Sequence, residues 1–269
     1  MKTILLTGAR GGVAGFLRSE LHGRYRLRLS DLSEPDDLQA GETAVAADLR
    51  DPAALEKAVD GVDGIIHLGG QSVESSWQVI RDVNIDGTYN LYEAARAAGV
   101  RRIVYASSNH AVGFYPRSET LDHGCYPKPD SRYGLSKVFG EALASLYADK
   151  YGVETLCIRI GNTAPEPRDF RILSIWISPR DLAQLVSIGL ESPDIHFEIV
   201  YGMSDNQRAW WDNDNALRLG YRPRDRSEDY AAKVIASCPK STGDPLGDRY
   251  QGGLFVSTEA GGDPTKRAP

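Results

Sequence analysis

The 269-residue chain has few of the features that would direct a protein to a membrane, a nucleic acid or a disulfide framework. It has 3 cysteines, and no apolar run approaches the ~20 residues that span a bilayer. Acidic residues outnumber basic residues by 37 to 31, so the net charge is −6. A protein that neutralises nucleic-acid phosphates would carry the opposite sign. We therefore expect neither a membrane nor a nucleic-acid partner.

Cysteine and histidine also lack the spacing of disulfides and metal ligands. Cys125, Cys157 and Cys238 lie far apart and form no CxxC pair, and the 5 histidines show no ligand spacing. We therefore expect reduced thiols and no metal. The apolar start of the chain ends at Thr7, too early for the apolar region of a signal peptide. We expect a cytoplasmic protein.

Short apolar segments rich in valine, isoleucine and leucine alternate with helix-like segments along the first 160 residues. The predicted strands are 3–7, 26–30, 43–46, 64–68, 102–106 and 154–159. Strands that alternate with helices form parallel sheets with helices on both faces. The sequence therefore predicts an α/β fold with a doubly wound parallel sheet.

Two helical patterns each stop at a glycine. Small and apolar residues recur at steps of three and four over 83–98, before Gly99, and a second pattern covers 131–151, before Gly152. A glycine after the last helical turn allows the left-handed conformation that commonly ends a helix. We predict a helix over each of these segments.

A glycine-rich turn directly follows the first predicted strand and precedes a helical segment. Its sequence is Thr7-Gly8-Ala9-Arg10-Gly11-Gly12-Val13-Ala14-Gly15. Glycines let the backbone approach a pyrophosphate, and the N–H groups at the start of the helix favour its charge. The next strand leads to Asp31, whose carboxylate can accept both hydroxyls of an adenosine ribose. Together these features predict a Rossmann-type dinucleotide site.

Asp31 and Arg10 make opposite predictions about the dinucleotide. A carboxylate repels the 2′-phosphate of NADP, whereas the guanidinium of Arg10 can pair with that phosphate. We predict NAD, because the carboxylate stands where the ribose is expected. The glycines fit two registers, which combine Gly8 with either Gly11 or Gly12, and the loop alone does not choose between them.

The pattern changes after residue 160, where prolines interrupt the chain. Separate helical patterns follow at about 180–191 and 228–237. We interpret residues 1–160 as an NAD-binding Rossmann domain, 161–257 as a small C-terminal substrate lobe packed on it, and 258–269 as a tail. We also expect a homo-oligomer, in which a neighbouring subunit holds this glycine- and proline-containing tail.

A second motif places a phenol and an ammonium one helical turn apart. Tyr133 and Lys137 share one face of the predicted helix, and a nearby cation favours the phenolate form of a tyrosine. The strand before this helix leads into four polar residues, Ser107, Ser108, Asn109 and His110. Because ligands of open parallel sheets bind at this carboxyl edge, we predict a catalytic site here.

These residues resemble the serine, tyrosine and lysine triad of the short-chain dehydrogenase/reductase superfamily. The twenty-five-residue separation of Ser108 and Tyr133 is similar to that of its extended branch, the sugar epimerases and dehydratases, and favours the register with Gly11. Within this branch the chain resembles the bacterial uronate dehydrogenase family over nearly its whole length. The segments that carry this resemblance are 66–74, 106–110, 159–161, 165–167, 210–213 and 251–253.

The resemblance implies an NAD-dependent enzyme that oxidises C1 of cyclic glucuronate or galacturonate to an aldarolactone. It implies that Tyr133 takes the O1 proton, that Lys137 holds the nicotinamide ribose and lowers the pKa of Tyr133, and that Ser108 binds the reacting oxygen. The implied contacts to the sugar acid are Ser72, Ser108, Asn109, His110, Asn162 and Arg171. The implied contacts to NAD are Gly8, Gly11, Gly12, Val13, Asp31, Asp48, Leu49, Leu68, Asn84, Lys137 and Thr163.

Other functions fit parts of the same pattern. A sugar-nucleotide epimerase or dehydratase shares the fold, but the Asp-Glu pair of the dehydratases is missing from 107–113. A non-enzymatic NAD sensor would not need an intact serine, tyrosine and lysine triad, and a hydrolase that uses His110 would need a GxSxG elbow. The uronate dehydrogenase family commonly has serine and cysteine where this chain has Asn162 and Thr163, which affects the contacts expected of these two positions.

Overall fold

The computed structural model describes residues 1–259, and seven parallel strands form its central sheet. The strands of the chain are β1 (Thr3–Thr7), β2 (Arg26–Asp31), β3 (Glu42–Ala46), β4 (Gly64–His67), β5 (Arg102–Ser108), β6 (Glu154–Ile160), β7 (Asn162–Thr163), β8 (Trp176–Ile177) and β9 (Phe197–Gly202). The sheet has the order β3-β2-β1-β4-β5-β6-β9, and β7 pairs with β8. The order reverses between β1 and β4, and ligands of such sheets bind where the order reverses.

Helices cover both faces of the sheet. They are α1 (Gly12–Glu20), α2 (Pro52–Val59), α3 (Trp77–Val79), α4 (Gly87–Ala97), α5 (Arg132–Tyr151), α6 (Ile172–Ile175), α7 (Pro179–Glu191), α8 (Asp214–Arg218), α9 (Glu228–Ser237) and α10 (Pro245–Arg249). A π-helical segment, Ile80–Asp86, joins α3 to α4, and 3₁₀ helices span Asn109–Val112 and Gly253–Val256. The helices α1 and α7 pack on one face of the sheet, and α2, α4 and α5 pack on the other.

The predicted sheet and helices are present. Each predicted strand overlaps an observed one, so the predicted doubly wound α/β fold is confirmed. The hydroxyl of Ser131 accepts a hydrogen bond from the Gly134 N–H at 2.9 Å and caps α5, which ends at Gly152 with φ of +68°. The helix predicted over 83–98 is divided between the π-helical segment and α4.

The boundary predicted at residue 160 does not coincide with the edge of the sheet. The strand β9 pairs with β6 along its whole length and is the seventh strand. The helix α7 buries Leu182, Leu185 and Val186 in the core on one face of the sheet. Residues 179–202 therefore belong to the sheet domain, because α7 and β9 bury their apolar side chains against it.

Of the rest of the predicted lobe, Ala216 and Tyr221 also join the core on that face of the sheet, and another part packs beyond the carboxyl end of β5. Trp211 joins Val112, Tyr115 and Tyr201 in a separate apolar cluster there. All three cysteines are free. Every helix in residues 1–259 is too short or too polar to cross a membrane. Most of the predicted tail, 260–269, lies outside the described residues.

Candidate active site

A cavity of about 870 Å³ lies at the carboxyl edge of the sheet. Most of the predicted site residues line it, namely Gly8, Gly11, Gly12, Val13, Asp31, Asp48, Leu49, Leu68, Ser72, Ser108, His110, Tyr133, Lys137, Asn162 and Thr163. Its volume lies in the range of cofactor and ligand sites, roughly 300–1,000 Å³. The remaining three predicted residues, Asn84, Asn109 and Arg171, lie elsewhere.

The glycine-rich turn forms one wall of this cavity. Gly8 has φ of +67°, and a Cβ there would lie 2.9 Å from backbone atoms of Leu68 and Gly69. A Cβ at Gly11 would lie 3.1 Å from the Gly8 carbonyl oxygen, whereas a Cβ at Gly12 would meet nothing within 4 Å. The structure therefore favours the register with Gly11. The turn brings the first N–H groups of α1 to the cavity, which fits a pyrophosphate.

Asp31 ends β2 with its carboxylate at the cavity. Its oxygens accept hydrogen bonds from the backbone N–H groups of Arg10 at 3.0 Å and Leu32 at 2.8 Å. The guanidinium of Arg10 donates instead to the hydroxyl of Ser33 at 3.1 Å. The carboxylate is therefore the charged group presented to an adenosine ribose, which favours NAD over NADP.

Asp48 lies at the same end of the cavity and is already paired. Its carboxylate accepts hydrogen bonds from Arg50 Nε at 3.0 Å and Nη2 at 2.6 Å, and this pair lowers the pKa of Asp48. Arg50 also lines the cavity. Sequence analysis missed Arg50, although it lies only two positions after a predicted contact.

Ser108, Tyr133 and Lys137 come together in this cavity, and all three are buried. The first ends β5, and the other two lie one turn apart on α5. The Lys137 Nζ lies 5.5 Å from the centre of the Tyr133 ring and donates to the carbonyl of Ala106 at 2.8 Å. One region of the cavity wall thus presents a hydroxyl, a phenol and an ammonium.

Burial dominates the electrostatics of this group. It raises the pKa of Tyr133 to about 12, and a hydrogen bond with the Ser108 hydroxyl opposes the rise. Burial also lowers the pKa of Lys137 to about 8. The lowering of the tyrosine pKa expected from Lys137 is absent here, because burial outweighs other effects and the ammonium is directed to the Ala106 carbonyl.

Asn84, which we predicted as a cofactor contact, lies behind the cavity wall in the π-helical segment. Its Oδ1 accepts a hydrogen bond from the Gln71 N–H at 2.7 Å. Its Nδ2 donates to the Gln71 carbonyl at 2.9 Å and to the Ser136 hydroxyl at 3.0 Å. Because the hydrogen bonds of its side-chain amide are made to other protein groups, Asn84 fixes the loop after β4 against α5.

A second cavity, of about 590 Å³, adjoins the first and contains Asn109 and Arg171. The two cavities share four wall residues, His110, Gly161, Asn162 and Phe255. Arg171 donates from Nε and Nη2 to the Gln251 carbonyl at 2.9 and 2.6 Å. With the Asn109 amide oriented to satisfy its neighbours, its oxygen accepts from Arg171 Nη2 at 3.1 Å.

His110 lies in the shared wall and is held by groups that sequence analysis missed. Its Nδ1 lies 2.7 Å from Oδ2 of Asp130, a fully buried carboxylate, and the ring of Phe255 stacks on it with centres 3.7 Å apart. A side chain at Gly113 or Gly252 would collide with the Asp130 carboxylate. The two glycines are a sequence signal for the position of Asp130, but the sequence alone does not show that they lie against its carboxylate.

Two oxygen atoms in the wall of the first cavity have no hydrogen-bond partner within residues 1–259. Asn162 Oδ1 and Thr163 Oγ1 are buried and make no hydrogen bond to any described residue. Both residues line the first cavity. Buried polar atoms are rarely left unpaired, so these two oxygens fit the hydrogen-bonding groups of a ligand.

Comparison with known proteins agrees with this geometry. Residues 4–197 match the NAD dependent epimerase/dehydratase family. A uronate dehydrogenase of Pseudomonas putida is 49% identical over 256 residues, which cover 94% of this chain and 95% of that protein. A variant of uronate dehydrogenase from Agrobacterium tumefaciens, solved in complex with NAD, is 43% identical with a TM-score of 0.92, over 96% of this chain and 98% of that chain. Glucuronic acid dehydrogenase from Chromohalobacter salexigens is 45% identical with a TM-score of 0.92, over 96% of this chain and 97% of that chain.

The chain belongs to the NAD dependent epimerase/dehydratase family, whose fold and glycine-rich turn it has. Within that family it belongs with the uronate dehydrogenases, to which it is 43–49% identical over nearly the full chain. The predicted family and the predicted NAD cofactor are thereby confirmed.

Proposed function

We propose that the chain oxidises C1 of cyclic glucuronate or galacturonate to the aldarolactone. One observation carries this proposal: a hydroxyl, a phenol and an ammonium in the first cavity lie across a shared wall from the Arg171 guanidinium. The first group of residues suits oxidation of an alcohol, and a guanidinium suits a carboxylate. The similarity to uronate dehydrogenases supports the same substrate class.

In this proposal Tyr133 is the base. Its phenolate accepts the O1 proton, and the Ser108 hydroxyl donates a hydrogen bond to the same oxygen. When the Lys137 ammonium leaves the Ala106 carbonyl, it is placed to hold a ribose hydroxyl, and from there its charge favours the phenolate. Bound NAD supplies the acceptor for the hydride from C1.

The same proposal divides the other lining residues between cofactor and sugar. Gly8 and Gly11 bring the start of α1 to the pyrophosphate, and Asp31 accepts the adenosine hydroxyls. The remaining NAD contacts are Gly12, Val13, Asp48, Leu49, Leu68 and Thr163. Asn84 positions the loop after β4 without touching NAD.

The sugar acid extends from Tyr133 towards the second cavity. Arg171 binds its carboxylate through Nη1, the guanidinium nitrogen that the Gln251 carbonyl and Asn109 leave free. Asn109 orients that guanidinium. Ser72, His110 and Asn162 donate or accept hydrogen bonds at the hydroxyl groups of the ring.

A parallel assay of NADH formation with glucuronate, galacturonate, glucose and UDP-glucose tests this proposal. We expect turnover with the two uronates and very little with glucose, which has the same ring without the carboxylate. Turnover of UDP-glucose in preference to the uronates would contradict the proposal and favour a sugar-nucleotide enzyme.

We also propose that the enzyme acts in the cytoplasm as a homo-oligomer. NAD-dependent sugar oxidation and three free thiols suit a reducing compartment. Exposed apolar side chains on α5 support self-association.

A further inference from the structure

The second cavity carries more positive charge than the carboxylate of one hexuronate neutralises. The cationic side chains that line it are Arg117, Arg168, Arg171 and Lys240. Asp169 is the one carboxylate among its described lining residues, which gives the wall a formal charge of +3 with His110 neutral. Asp169 also accepts a hydrogen bond from the Ile172 N–H at 2.8 Å. No other carboxylate among the described lining residues balances this charge, and Asp130 and Asp248 act on the arginines only from outside the lining.

The two inner guanidiniums are held by backbone carbonyls of one short segment, 247–251. Arg117 donates from Nε to the Tyr250 carbonyl at 3.1 Å and from Nη2 to the Gly247 carbonyl at 2.6 Å. Arg171 is held in the same way by the Gln251 carbonyl. Carbonyl groups orient a guanidinium but leave its charge uncompensated. The segment therefore fixes two cations beside one cavity.

These two cations lie in an environment that disfavours charge. Burial lowers the pKa of Arg171 to about 10, and repulsion from Arg117 adds to the lowering. Burial lowers the pKa of Arg117 as well. Within residues 1–259 neither guanidinium forms a salt bridge with a carboxylate. A buried charge without a partner is costly, and an anionic ligand would remove that cost.

We propose that the second cavity binds a phosphate dianion. This proposal rests on the proposed function, in which Arg171 lies at the acid end of the sugar. A phosphate carries about −1.5 to −2 charges at pH 7 and offers more acceptor oxygens than a carboxylate. It therefore suits two guanidiniums together with the exposed Arg168 and Lys240 at the rim. The volume of about 590 Å³ leaves room for this larger group.

Two sources of this phosphate are compatible with the cavity. One is the free anion. The other is the 6-phosphate ester of a hexose, whose ring would place C1 beside Tyr133. In the second case C1 loses a hydride to NAD and O1 loses its proton to Tyr133, which gives NADH and the 6-phospho-lactone. The ester bond is not broken.

Calorimetric titration of the NAD-saturated protein with inorganic phosphate tests the site itself. NAD is present because the glycine-rich turn is another place where phosphate groups bind. We expect saturable binding of one phosphate with a Kd of about 1 mM. The double variant Arg168→Gln, Lys240→Gln is expected to bind phosphate about fivefold more weakly. The matched control, Arg26→Gln with Lys57→Gln, removes two exposed cations elsewhere and is expected to leave Kd unchanged.

Kinetics with glucose 6-phosphate then distinguish the two sources. The ester is the ligand if the enzyme oxidises glucose 6-phosphate faster than glucose and if the Arg168→Gln, Lys240→Gln variant oxidises glucose 6-phosphate more slowly. The free anion is the ligand if inorganic phosphate inhibits glucuronate oxidation competitively and glucose 6-phosphate is not oxidised. The same variant is expected to oxidise glucuronate like the unmodified enzyme.

Absence of saturable phosphate binding would overturn the proposal, as would equal weakening in the variant and its charge-matched control. Because calorimetry needs no turnover, its result is separate from the test of uronate oxidation. An enzyme that oxidises glucuronate but binds no phosphate would retain the proposed function and lose this inference.

Discussion

Tyr133 is the single residue on which the proposed chemistry depends most directly. In Tyr133→Phe the ring keeps its packing, but no oxygen remains to accept the O1 proton. Loss of a general base typically lowers the rate ~10²–10⁴-fold. We expect kcat to fall by that factor, with NAD affinity and melting temperature close to those of the unmodified enzyme. A variant that keeps more than about a tenth of kcat would exclude this role for Tyr133.

We predict that Asp31 determines which dinucleotide the enzyme prefers. Its carboxylate faces the cavity while the Arg10 guanidinium is bound to Ser33, so NAD is favoured over NADP. Asp31→Ala removes the ribose contact and the repulsion of a 2′-phosphate. We expect kcat/KM to fall more for NAD than for NADP, which narrows the preference. Equal kcat/KM values for NAD and NADP in the unmodified enzyme would show instead that Arg10 offsets the effect of Asp31 on the cofactor preference.

In the proposed function, Arg171 determines whether the substrate must be an acid. Removal of one partner of a buried, hydrogen-bonded charge pair costs ~2–5 kcal/mol, which corresponds to roughly 30-fold to several thousand-fold in kcat/KM. We expect Arg171→Met to lose glucuronate oxidation by this factor and to keep its NAD affinity within about twofold.

A purely structural salt bridge of Arg171 would predict unchanged kinetics. Glu166, one candidate partner, pairs instead with Lys233 at 2.6 Å. Arg168→Gln is the matched control, because Arg168 lines the same cavity but is exposed. Full activity in Arg171→Met would assign the carboxylate to other residues, with His110 and Asn109 the next candidates.

At the scale of elements, the sequence predicted the helices and strands that are specified by short stretches of neighbouring residues. The helix predicted over 131–151 ends before Gly152, as α5 does. The predicted strands begin where observed strands begin, within one residue, because each is a short apolar run next to a turn. The sequence could place Tyr133, Lys137 and Ser108 at one site for the same reason, since two short motifs contain them, and all three line the first cavity.

The strand β9 was not predicted, and the helical pattern at 180–191 was predicted but assigned to the lobe, because both assignments depend on distant contacts. The strand β9 and the helix α7 follow a proline-rich stretch, and only their pairing with β6 and packing on the sheet show that they belong to it. Asp130 and Phe255 lie far from each other in sequence and meet only at His110. Local periodicity contains no information about such contacts.

The position of β9 and α7 makes a prediction about fragments. A chain of residues 1–160 lacks the edge strand beside β6 and the apolar face of α7, which leaves one face of the sheet partly uncovered. We expect this fragment to aggregate or to unfold without a cooperative transition, whereas the full chain unfolds cooperatively. Circular dichroism during heating measures the difference. Cooperative unfolding of the fragment would restore the predicted boundary.

At the scale of the whole molecule, α5 presents an apolar stripe for self-association. Leu135 and Leu146 are 43% and 51% exposed, and Phe139 and Ala142 lie between them at steps of three and four. Such a stripe on two copies is self-complementary about a two-fold axis. We expect the unmodified protein to have at least a dimeric mass by light scattering.

Leu146→Glu is expected to reduce the mass of that oligomer, because it places a charge in the stripe. Leu217→Glu is the matched control, since Leu217 is 41% exposed on α8 and lies outside the stripe. A monomeric mass for the unmodified protein at micromolar concentration would exclude the proposed oligomer.

The order of the site residues along the chain has a consequence for biosynthesis. The proposed NAD contacts other than Lys137 and Thr163 precede Gly69, and all of them precede Gly202, where β9 completes the sheet. The groups that hold Arg171 and stack on His110, Gln251 and Phe255, follow about fifty residues later. A nascent chain on the ribosome therefore acquires its proposed NAD site before its proposed site for the sugar acid. NAD can stabilise the folding chain at a stage when the uronate cannot.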